Sequence, residues 1–270
     1  MARIDSLTNF LTDVATAIKN KKGDNTSIKA SDFDTEITNL PSGSGITVEK
    51  GFIAEEYDID GYVTKARVVG MTELPMGAFT NYNSTVGSFL GKNLKEVVLP
   101  NETTILGERA FNWCSNLTTI NFGNITDIGI NCFNNCKGLP SKLILNGVKN
   151  IGKSAFYNTP IEQISLPNIE KIYDTDANSP FGFCANLYKI WIGSGITDLG
   201  RYALRTRGST ADTQHLRKVY IDLPRATVEA FSGYTTYRFV DTNNPNYQPT
   251  IICNDDENFI TKEEFDAIEF

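Results

Sequence analysis

Hydrophobic residues recur along the central part of the chain at intervals of about 23 positions. Each copy begins with an alternation of the type L-x-x-I-x-L, which predicts a short strand whose leucine-type residues face inward. A glycine and then an Ala-Phe pair follow this strand in most copies. Five of the copies end in a large apolar residue that we call the landmark of the repeat. The landmarks are Phe111, Phe133, Phe156, Phe181 and Leu204, which are 22, 23, 25 and 23 residues apart. A period of this length predicts a solenoid of stacked repeats.

The same pattern predicts what each part of a repeat does. Stacked copies of the strand form a parallel sheet with one short strand per repeat, and the Ala-Phe pair fills the core on the return side. The glycines near the middle of the repeats are expected at tight bends where backbones approach each other, and they are Gly107, Gly129, Gly152 and Gly200. The predicted fold class is therefore a leucine-rich repeat solenoid of about six to seven repeats. A small helical amino-terminal region and a carboxyl-terminal cap complete it.

Residues 1–40 have a helical pattern instead. Apolar residues spaced three and four apart predict one stripe of an amphipathic helix, and they are Ile4, Leu7, Leu11, Val14 and Ile18. A second short helix is expected from Ser31 to Leu40, with Ser31 as its cap. Two arrangements fit this stripe: the first helix packs on the second as a hairpin, or it meets copies of itself in a homo-oligomer. Either way, we expect residues 1–40 to be an anchor or oligomerisation segment.

The remaining boundaries follow from changes in composition. Residues 41–62 are expected to be a linker followed by two short strands around the turn Asp58-Ile59-Asp60-Gly61. The solenoid should occupy residues 63–240, with an atypical first repeat because terminal repeats cap an open core. For residues 241–270 we predict a cap, made of a hairpin that joins residues 250–253 to 259–261 and a short helix from Lys262.

Charge and composition exclude several classes of protein. The net charge of −7 argues against broad nucleic-acid binding. No run of about 18 apolar residues predicts a membrane span, and the amino terminus does not resemble a secretion signal. Three of the five cysteines, Cys114, Cys136 and Cys184, each follow a landmark phenylalanine by three residues. We interpret them as small buried fillers, and we expect neither a metal site nor a cofactor.

Two motifs invite a functional interpretation that their context does not support. Residues 147–154 match the phosphate-loop expression G-x-x-x-x-G-K-[ST]. Such a loop needs a helix after it, whereas Pro160 follows within six residues of Ser154, and Gly152 is already explained as a bend of the repeat. Asp58 and Asp60 resemble the start of a calcium loop but are better explained as a turn. With a single histidine, His215, and no catalytic motif, the chain is not expected to be an enzyme.

The outward face of the predicted sheet is the candidate ligand surface. The residue between the last two inward positions of each strand points outward, and down the stack these residues are Val98, Asn121, Ile144, Ser165, Trp191 and Tyr220. The row ends in two aromatic residues, with Tyr188 close by. Candidate ligand contacts are thus Trp191, Tyr220, Tyr188, Ser165 and Asn121. The alternative is that the carboxyl-terminal cap or the insertion at 205–214 covers these rings and makes them core.

The repeat resembles the BspA-type leucine-rich repeats. The resemblance rests on the pattern L-x-x-I-x-L followed by I-G-x-x-A-F-x-x-C, and it is clearest at 94–114, 117–136 and 161–184. It extends over roughly residues 63–235. Proteins with this repeat are often surface adhesins, so the resemblance implies attachment and not catalysis.

The amino-terminal segment resembles that of tail, baseplate or head-fibre proteins of phages that infect Gram-positive bacteria. The resemblance rests on residues 4–19 together with Lys21-Lys22-Gly23 and the segment 31–37. It implies a non-enzymatic virion surface protein, assembled in the host cytoplasm, whose helices bind other virion proteins. The solenoid would then bind a host-surface glycan or protein, or a virion partner. Two alternatives are a bacterial cell-surface adhesin of the same repeat class and a purely structural decoration protein.

Overall fold

The chain divides into two compact units, Met1–Glu49 and Lys50–Phe270. The computed structural model describes residues 51–81, 90–172, 179–199, 203–204, 206, 216–231 and 249–268, all of which belong to the second unit. The predicted amino-terminal helices, the linker at 41–45 and nearly all of the insertion at 205–214 lie outside the described residues. What the sequence predicts for these segments therefore stays a prediction.

An antiparallel hairpin opens the described fold. Strand β1 (Gly51–Tyr57) pairs with β2 (Val63–Val69) across the turn at 58–61, as the sequence predicts. The Asp58 carboxylate accepts hydrogen bonds from the amides of Asp60 (3.0 Å) and Tyr62 (2.9 Å), and from the side chain of Asn93. Together these bonds lower the pKa of Asp58, and the bond from Asn93 contributes most. Asp58 thus closes a turn, in agreement with the interpretation of this motif as structural.

Successive repeats then contribute strands to two sides of a solenoid. The first side begins with β2 and continues with β4 (Glu96–Val98), β6 (Thr119–Ile120), β8 (Lys142–Ile144), β10 (Gln163–Leu166), β12 (Lys189–Ile192), β14 (Lys218–Ile221) and β15 (Thr250–Cys253). The second side consists of β3 (Glu73–Leu74), β5 (Ile105–Leu106), β7 (Asp127–Ile128), β9 (Asn150–Ile151), β11 (Lys171–Ile172) and β13 (Asp198–Leu199). The repeats that begin with β2 to β12 contribute a strand to each of the two sides, whereas β14 and β15 extend the first side alone among the described residues. Neighbouring strands on the second side are all parallel. On the first side, β2, β4 and β6 pair in parallel in one sheet, and β8, β10, β12, β14 and β15 do so in another.

The third side of each coil is a sequence of tight turns that backbone hydrogen bonds tie to the next coil. Alternate backbone amides of one coil donate to carbonyls of the next coil. For example, the Phe111 amide donates to the Cys132 carbonyl at 2.9 Å and the Trp113 amide to the Asn134 carbonyl at 2.8 Å. Left-handed backbone angles occur at two positions in each of the turns around Phe111, Phe133 and Phe156 and at one position in the turn around Phe181. The residues with these angles are Arg109, Trp113, Asn131, Asn135, Ser154, Asn158 and Phe183. Because side chains with a Cβ disfavour this region, the shape of the turn is imposed by the stack.

A column of phenylalanine rings forms the centre of the core. Phe79, Phe111, Phe133, Phe156 and Phe181 are fully buried, and neighbouring rings are stacked with centroids 5.2–6.0 Å apart. The sequence predicted the last four of these residues as landmarks of the repeat. The stacking of Phe79 on Phe111 shows that the atypical first repeat joins the column.

The cysteines that follow the landmark phenylalanines are buried thiols. The Sγ atoms of Cys114, Cys136 and Cys184 donate to the carbonyls of Phe79, Phe111 and Phe156, respectively, each at 3.0 Å. Burial raises the pKa of each of these thiols above its ordinary value. All five cysteines of the chain are free and buried. Their predicted role as fillers agrees with this environment.

The repeat glycines lie where one coil touches the next. A Cβ atom on Gly129 would be 2.8 Å from the backbone of Gly107 and Glu108, and one on Gly152 would be 2.7 Å from the Ile130 nitrogen. Close approach of backbones therefore requires glycine at these positions, as the pattern predicted.

The predicted hairpin in the carboxyl-terminal region is wrong. Strand β15 pairs in parallel with β14, with Val219 opposite Ile251 and Ile221 opposite Cys253. It therefore adds one more layer to the stack, and we call each such layer a rung. Residues 259–261 are not a strand. They lead into helix α2 (Lys262–Ala267), which Thr261 caps by accepting from the Glu264 amide while the Glu264 carboxylate accepts from the Thr261 amide. Another short helix, α1 (Arg225–Glu229), follows β14.

Candidate functional site

Helix α2 lies across the outward face of the first side of the solenoid. Phe265 is fully buried and packs with Trp191, Tyr220 and Ile252 in a small cluster separate from the main core. The Tyr220 and Phe265 rings meet edge to face, with centroids 5.7 Å apart. The indole nitrogen of Trp191 donates to the Ile260 carbonyl at 3.2 Å. The carboxyl-terminal segment therefore forms a cover over β10, β12, β14 and β15.

This cover changes the role of three predicted ligand contacts. Trp191 and Tyr220 are only 5% and 4% exposed, and Ser165 is fully buried. The expectation that these side chains are displayed to solvent is wrong, because the apolar face of α2 needs a partner and the two rings supply it. The alternative considered from the sequence, a carboxyl-terminal segment folded over the rings, is the arrangement found.

Polar groups lie beneath and beside the cover. The Gln163 side-chain amide donates to the Phe265 carbonyl at 2.8 Å, and Lys142 Nζ donates to the Asp266 and Ile268 carbonyls at the end of α2. Gln163 Oε1, Ser165 Oγ and Asp266 Oδ1 are buried and have no hydrogen-bond partner among the described residues. Burial, together with the nearby charges of Lys218 and Lys142, lowers the pKa of Lys189 on the same face. The face under α2 is thus partly polar and partly cationic.

The other two predicted contacts are exposed. Tyr188 is 40% exposed just before β12. Asn121 is exposed after β6, where its side chain accepts from the Leu99 amide (2.7 Å) and donates to the Leu99 carbonyl (2.8 Å). Asn121 therefore replaces missing backbone bonds between two rungs. Val98 is half-buried and Ile144 is 39% exposed, so two of the three residues in the uncovered half of the row are apolar.

The phosphate-loop match cannot form a phosphate site. Amides that would cradle phosphates already donate within the fold: Gly152 to the Ile128 carbonyl, Phe156 to the Pro180 carbonyl and Tyr157 to the Ser154 carbonyl. Residues 153–158 are turns and not a helix, and the backbone of Ser154 is left-handed with φ of 53°. The helix terminus on which such a site depends is missing from this segment.

A second surface, which the sequence patterns did not predict, runs along the third side of the solenoid. The position two residues after each landmark phenylalanine has a left-handed backbone, and it is occupied by Trp113 (φ 63°), Asn135 (61°), Asn158 (58°) and Phe183 (58°). We call these four residues the turn stripe. Trp113 is 43% exposed and Phe183 is 37% exposed. The repeats do contain a signal, since aromatic residues stand where other copies have asparagine, but the predicted ligand surface rested on the strands alone.

Asparagine side chains connect the middle of the turn stripe. Asn158 Nδ2 donates to Asn135 Oδ1 at 2.5 Å, Asn135 donates to Asn134, and Asn134 Nδ2 donates to Asn131 Oδ1 at 2.8 Å. Lys137 Nζ donates to the Asn158 oxygen at one end of this chain. Beyond Asn158, at the Phe183 end of the stripe, the Tyr157 ring lies against Phe183 with a centroid distance of 4.8 Å. The stripe therefore combines aromatic faces with a head-to-tail chain of amides.

Two further findings concern metal ions and membranes. Within the described ranges, no group of three or more His, Cys, Asp or Glu side chains is arranged to hold a metal ion. None of the helices in that same part of the chain has the length and apolar character needed to cross a membrane. The predicted anchor residues Ile4, Leu7, Leu11, Val14 and Ile18 lie outside the described residues.

Comparison with known proteins supports the repeat assignment. Residues 85–210 match the model of the BspA type leucine-rich repeat region, in six copies. This match begins after the amino-terminal segment, so nothing in it supports the resemblance to phage proteins. A search of curated proteins finds no match.

Two crystal structures are similar to the chain. One is a leucine-rich repeat protein from Bacteroides ovatus, 16% identical, with a TM-score of 0.35 and coverage of 72% of this chain and 69% of that one. The other is a leucine-rich cell surface protein from Faecalibacterium prausnitzii, 14% identical, with a TM-score of 0.26 and coverage of 69% and 73%, respectively. The assignment of the fold rests on the strand pairing and on the match to the family model, and not on these two structures. The second unit is a leucine-rich repeat solenoid, and its central repeats match the model of the BspA type.

Proposed function

We propose that this protein is a non-enzymatic, surface-attached binding protein whose solenoid holds a macromolecular partner. The observation that carries the proposal is the regular stack itself. Successive rungs repeat the same surface positions about 5 Å apart, so side chains on one row can contact an extended partner at several points. Repeat proteins with this architecture offer long binding surfaces.

Cell binding tests this proposal directly. Fluorescently labelled full-length protein is incubated with a panel of Gram-positive and Gram-negative bacteria, and bound label is measured against protein concentration. Saturable binding that unlabelled protein displaces is expected for at least one strain. A labelled protein of similar size and net charge serves as the control. Linear, non-displaceable uptake on every strain would contradict the proposal.

The amino-terminal segment supports a virion as the attachment site, through its resemblance to phage tail, baseplate and head-fibre proteins. In this proposal the solenoid contacts the host surface while residues 1–40 bind other virion proteins. A bacterial cell surface is the alternative location, in keeping with the adhesins that carry this repeat. Mass spectrometry of purified virions and of washed cell envelopes distinguishes the two, because the protein should be enriched in only one of them.

The stripe Ile4, Leu7, Leu11, Val14 and Ile18 supports assembly through the first helix. Burial of each such side chain contributes roughly 1.5–3 kcal/mol, which is enough in sum to hold an oligomer or a virion partner. Light scattering should therefore give a larger mass per particle for the full chain than for a chain that begins at Ile46. Double substitution Leu7→Asp/Leu11→Asp should have the same effect as removal of the segment. If all three proteins are monomers and all enter virions equally, residues 1–40 are not the anchor.

A further inference from the structure

The turn stripe keeps aromatic residues where they strain the backbone. Trp113 and Phe183 have φ of 63° and 58°, whereas the equivalent residues of the two repeats between them are Asn135 and Asn158. Asparagine tolerates the left-handed region better than a bulky aromatic residue does. Backbone strain of this kind persists where the surrounding structure enforces it, and it concentrates at functional sites.

The two strained rings are also displayed to solvent. Each is more than one-third exposed, although both are large apolar side chains that solvent disfavours. They stand three rungs apart, a separation of about 15 Å at the usual strand spacing. Asn135 and Asn158 occupy the rungs between them. The stripe thus has an aromatic platform at each end and amides in the middle.

The amides suit a partner that is rich in hydroxyl groups. In the chain from Asn158 through Asn135 and Asn134 to Asn131, each bond uses one N–H and one oxygen lone pair. A carboxamide has two N–H donors and an oxygen with two lone pairs, so these side chains keep capacity for both donating and accepting. A hydroxyl group is likewise both donor and acceptor. Polarisation along such a chain strengthens the bonds at its ends.

The aromatic rings suit the apolar faces of the same hydroxyl-rich partner. A pyranose ring presents an apolar C–H face and a rim of hydroxyl groups, and the negative face of an aromatic ring attracts C–H groups. Trp and Tyr are over-represented among residues that dominate binding energy, and Tyr157 widens the platform at Phe183. A linear oligosaccharide that follows the solenoid axis would place sugar faces on the rings and hydroxyl groups on the amides.

We propose that the turn stripe is a binding site for a linear glycan, with Trp113 and Phe183 as stacking platforms and Asn135 and Asn158 as hydrogen-bonding residues. This inference rests on the proposed function as a surface-binding protein, and it names the partner class and the site. The site is distinct from the sheet face covered by α2.

The test compares ring-removing, ring-keeping and control variants of the full chain. Trp113→Asn/Phe183→Asn places asparagine at both ends of the stripe, so its melting temperature should be unchanged or raised. Trp113→Phe keeps a platform. Ile59→Asn removes a fully exposed apolar side chain from the tip of the β1–β2 turn, away from the stripe. All four proteins are applied to an array of bacterial-surface and mucin-type glycans, and affinities for the best oligosaccharide are measured by calorimetry.

We expect the unmodified chain and Ile59→Asn to bind the same glycan, Trp113→Phe to bind it within a few-fold, and the double variant to lose roughly tenfold or more in affinity. Equal affinity of a folded double variant would overturn the site. Cell binding that survives periodate oxidation of glycans but not protease treatment, together with a blank array, would overturn the glycan while leaving the proposed function intact. Absence of saturable binding to both cells and array would overturn both.

Discussion

At the scale of single residues, this fold depends on the rings and glycines that pack between coils and on the left-handed positions that shape the turns. Landmark phenylalanines and repeat glycines recur with the period, so both could be predicted from the pattern. Left-handed turn positions could not, because asparagine, tryptophan, serine, arginine and phenylalanine all occupy them. The backbone angle there is set by hydrogen bonds to the next coil and not by the local residue.

Removal of one ring from the phenylalanine column should be costly. Phe156 is fully buried between Phe133 and Phe181, at centroid distances of 5.4 and 6.0 Å. We expect Phe156→Ala to lower the free energy of unfolding by about 3–5 kcal/mol, because it leaves a cavity between two rungs. Urea denaturation measures this loss. Phe156→Leu, which fills more of the space, should cost less, and equal losses for the two variants would argue against a cavity effect.

The glycine bends offer a matched pair of substitutions. Gly129→Ala places a methyl group 2.8 Å from the backbone of the preceding coil, whereas Gly123→Ala meets nothing within 4 Å. We expect the first variant to lose about 1–3 kcal/mol of stability through overpacking. The second should stay within about 0.5 kcal/mol of the unmodified protein. Thermal unfolding of both variants checks the prediction, which a similar loss in each would contradict.

At the scale of elements, the strands were predictable and their neighbours at the carboxyl end were not. The alternation in residues 63–69, 94–99 and 216–221 correctly placed strands on the first side of the solenoid. The segment 250–253 has the same alternation, but a neighbouring stretch of similar composition suggested a hairpin. Strand β15 instead pairs with β14, where its Ile252 lies beside Tyr220 and helps to form the surface on which α2 docks.

The cover formed by α2 can be tested through the fluorescence of Trp191. The chain has two tryptophans, so Trp113→Phe leaves Trp191 as the sole emitter. In that background, Phe265→Ala should shift emission to longer wavelength and raise quenching by acrylamide, because the indole loses the ring that shields it. Glu263→Ala, which changes an exposed residue of the same helix, is the control. An unshifted spectrum in a folded Phe265→Ala protein would show that α2 does not shield Trp191.

At the scale of the whole molecule, the stack buries every thiol of the chain. Cys114, Cys132, Cys136, Cys184 and Cys253 are all buried and free, and burial is the main reason that the pKa of each thiol is raised. A thiol reacts as its thiolate and only where reagent can reach it. The reactivity of the cysteines therefore reports on the integrity of the solenoid.

We expect no rapid reaction of the native protein with a thiol reagent such as dithionitrobenzoate at about pH 8, since the buried thiols stay protonated there. In urea, all of the cysteines should react. Slow native labelling should follow the rate of opening and become faster in Gly129→Ala. Ile59→Asn, which changes an exposed turn residue, should label like the unmodified protein. Rapid labelling of one cysteine in the native state would show that its rung is locally open.

Residue type and spacing were enough to establish that the chain stacks repeats, where each repeat bends and which side chains fill the core. An inward strand position needs an apolar side chain and a close backbone contact needs glycine. Both features can therefore be recognised from the residue type at a single position of the repeat. Exposure of the surfaces, in contrast, depends on contacts between distant segments. Trp191 and Tyr220 point outward from their strands, as predicted, yet they are buried because a helix more than forty residues further along the chain folds back over them. Trp113 and Phe183 are displayed because inter-coil hydrogen bonds hold their turns in a conformation that neither residue prefers.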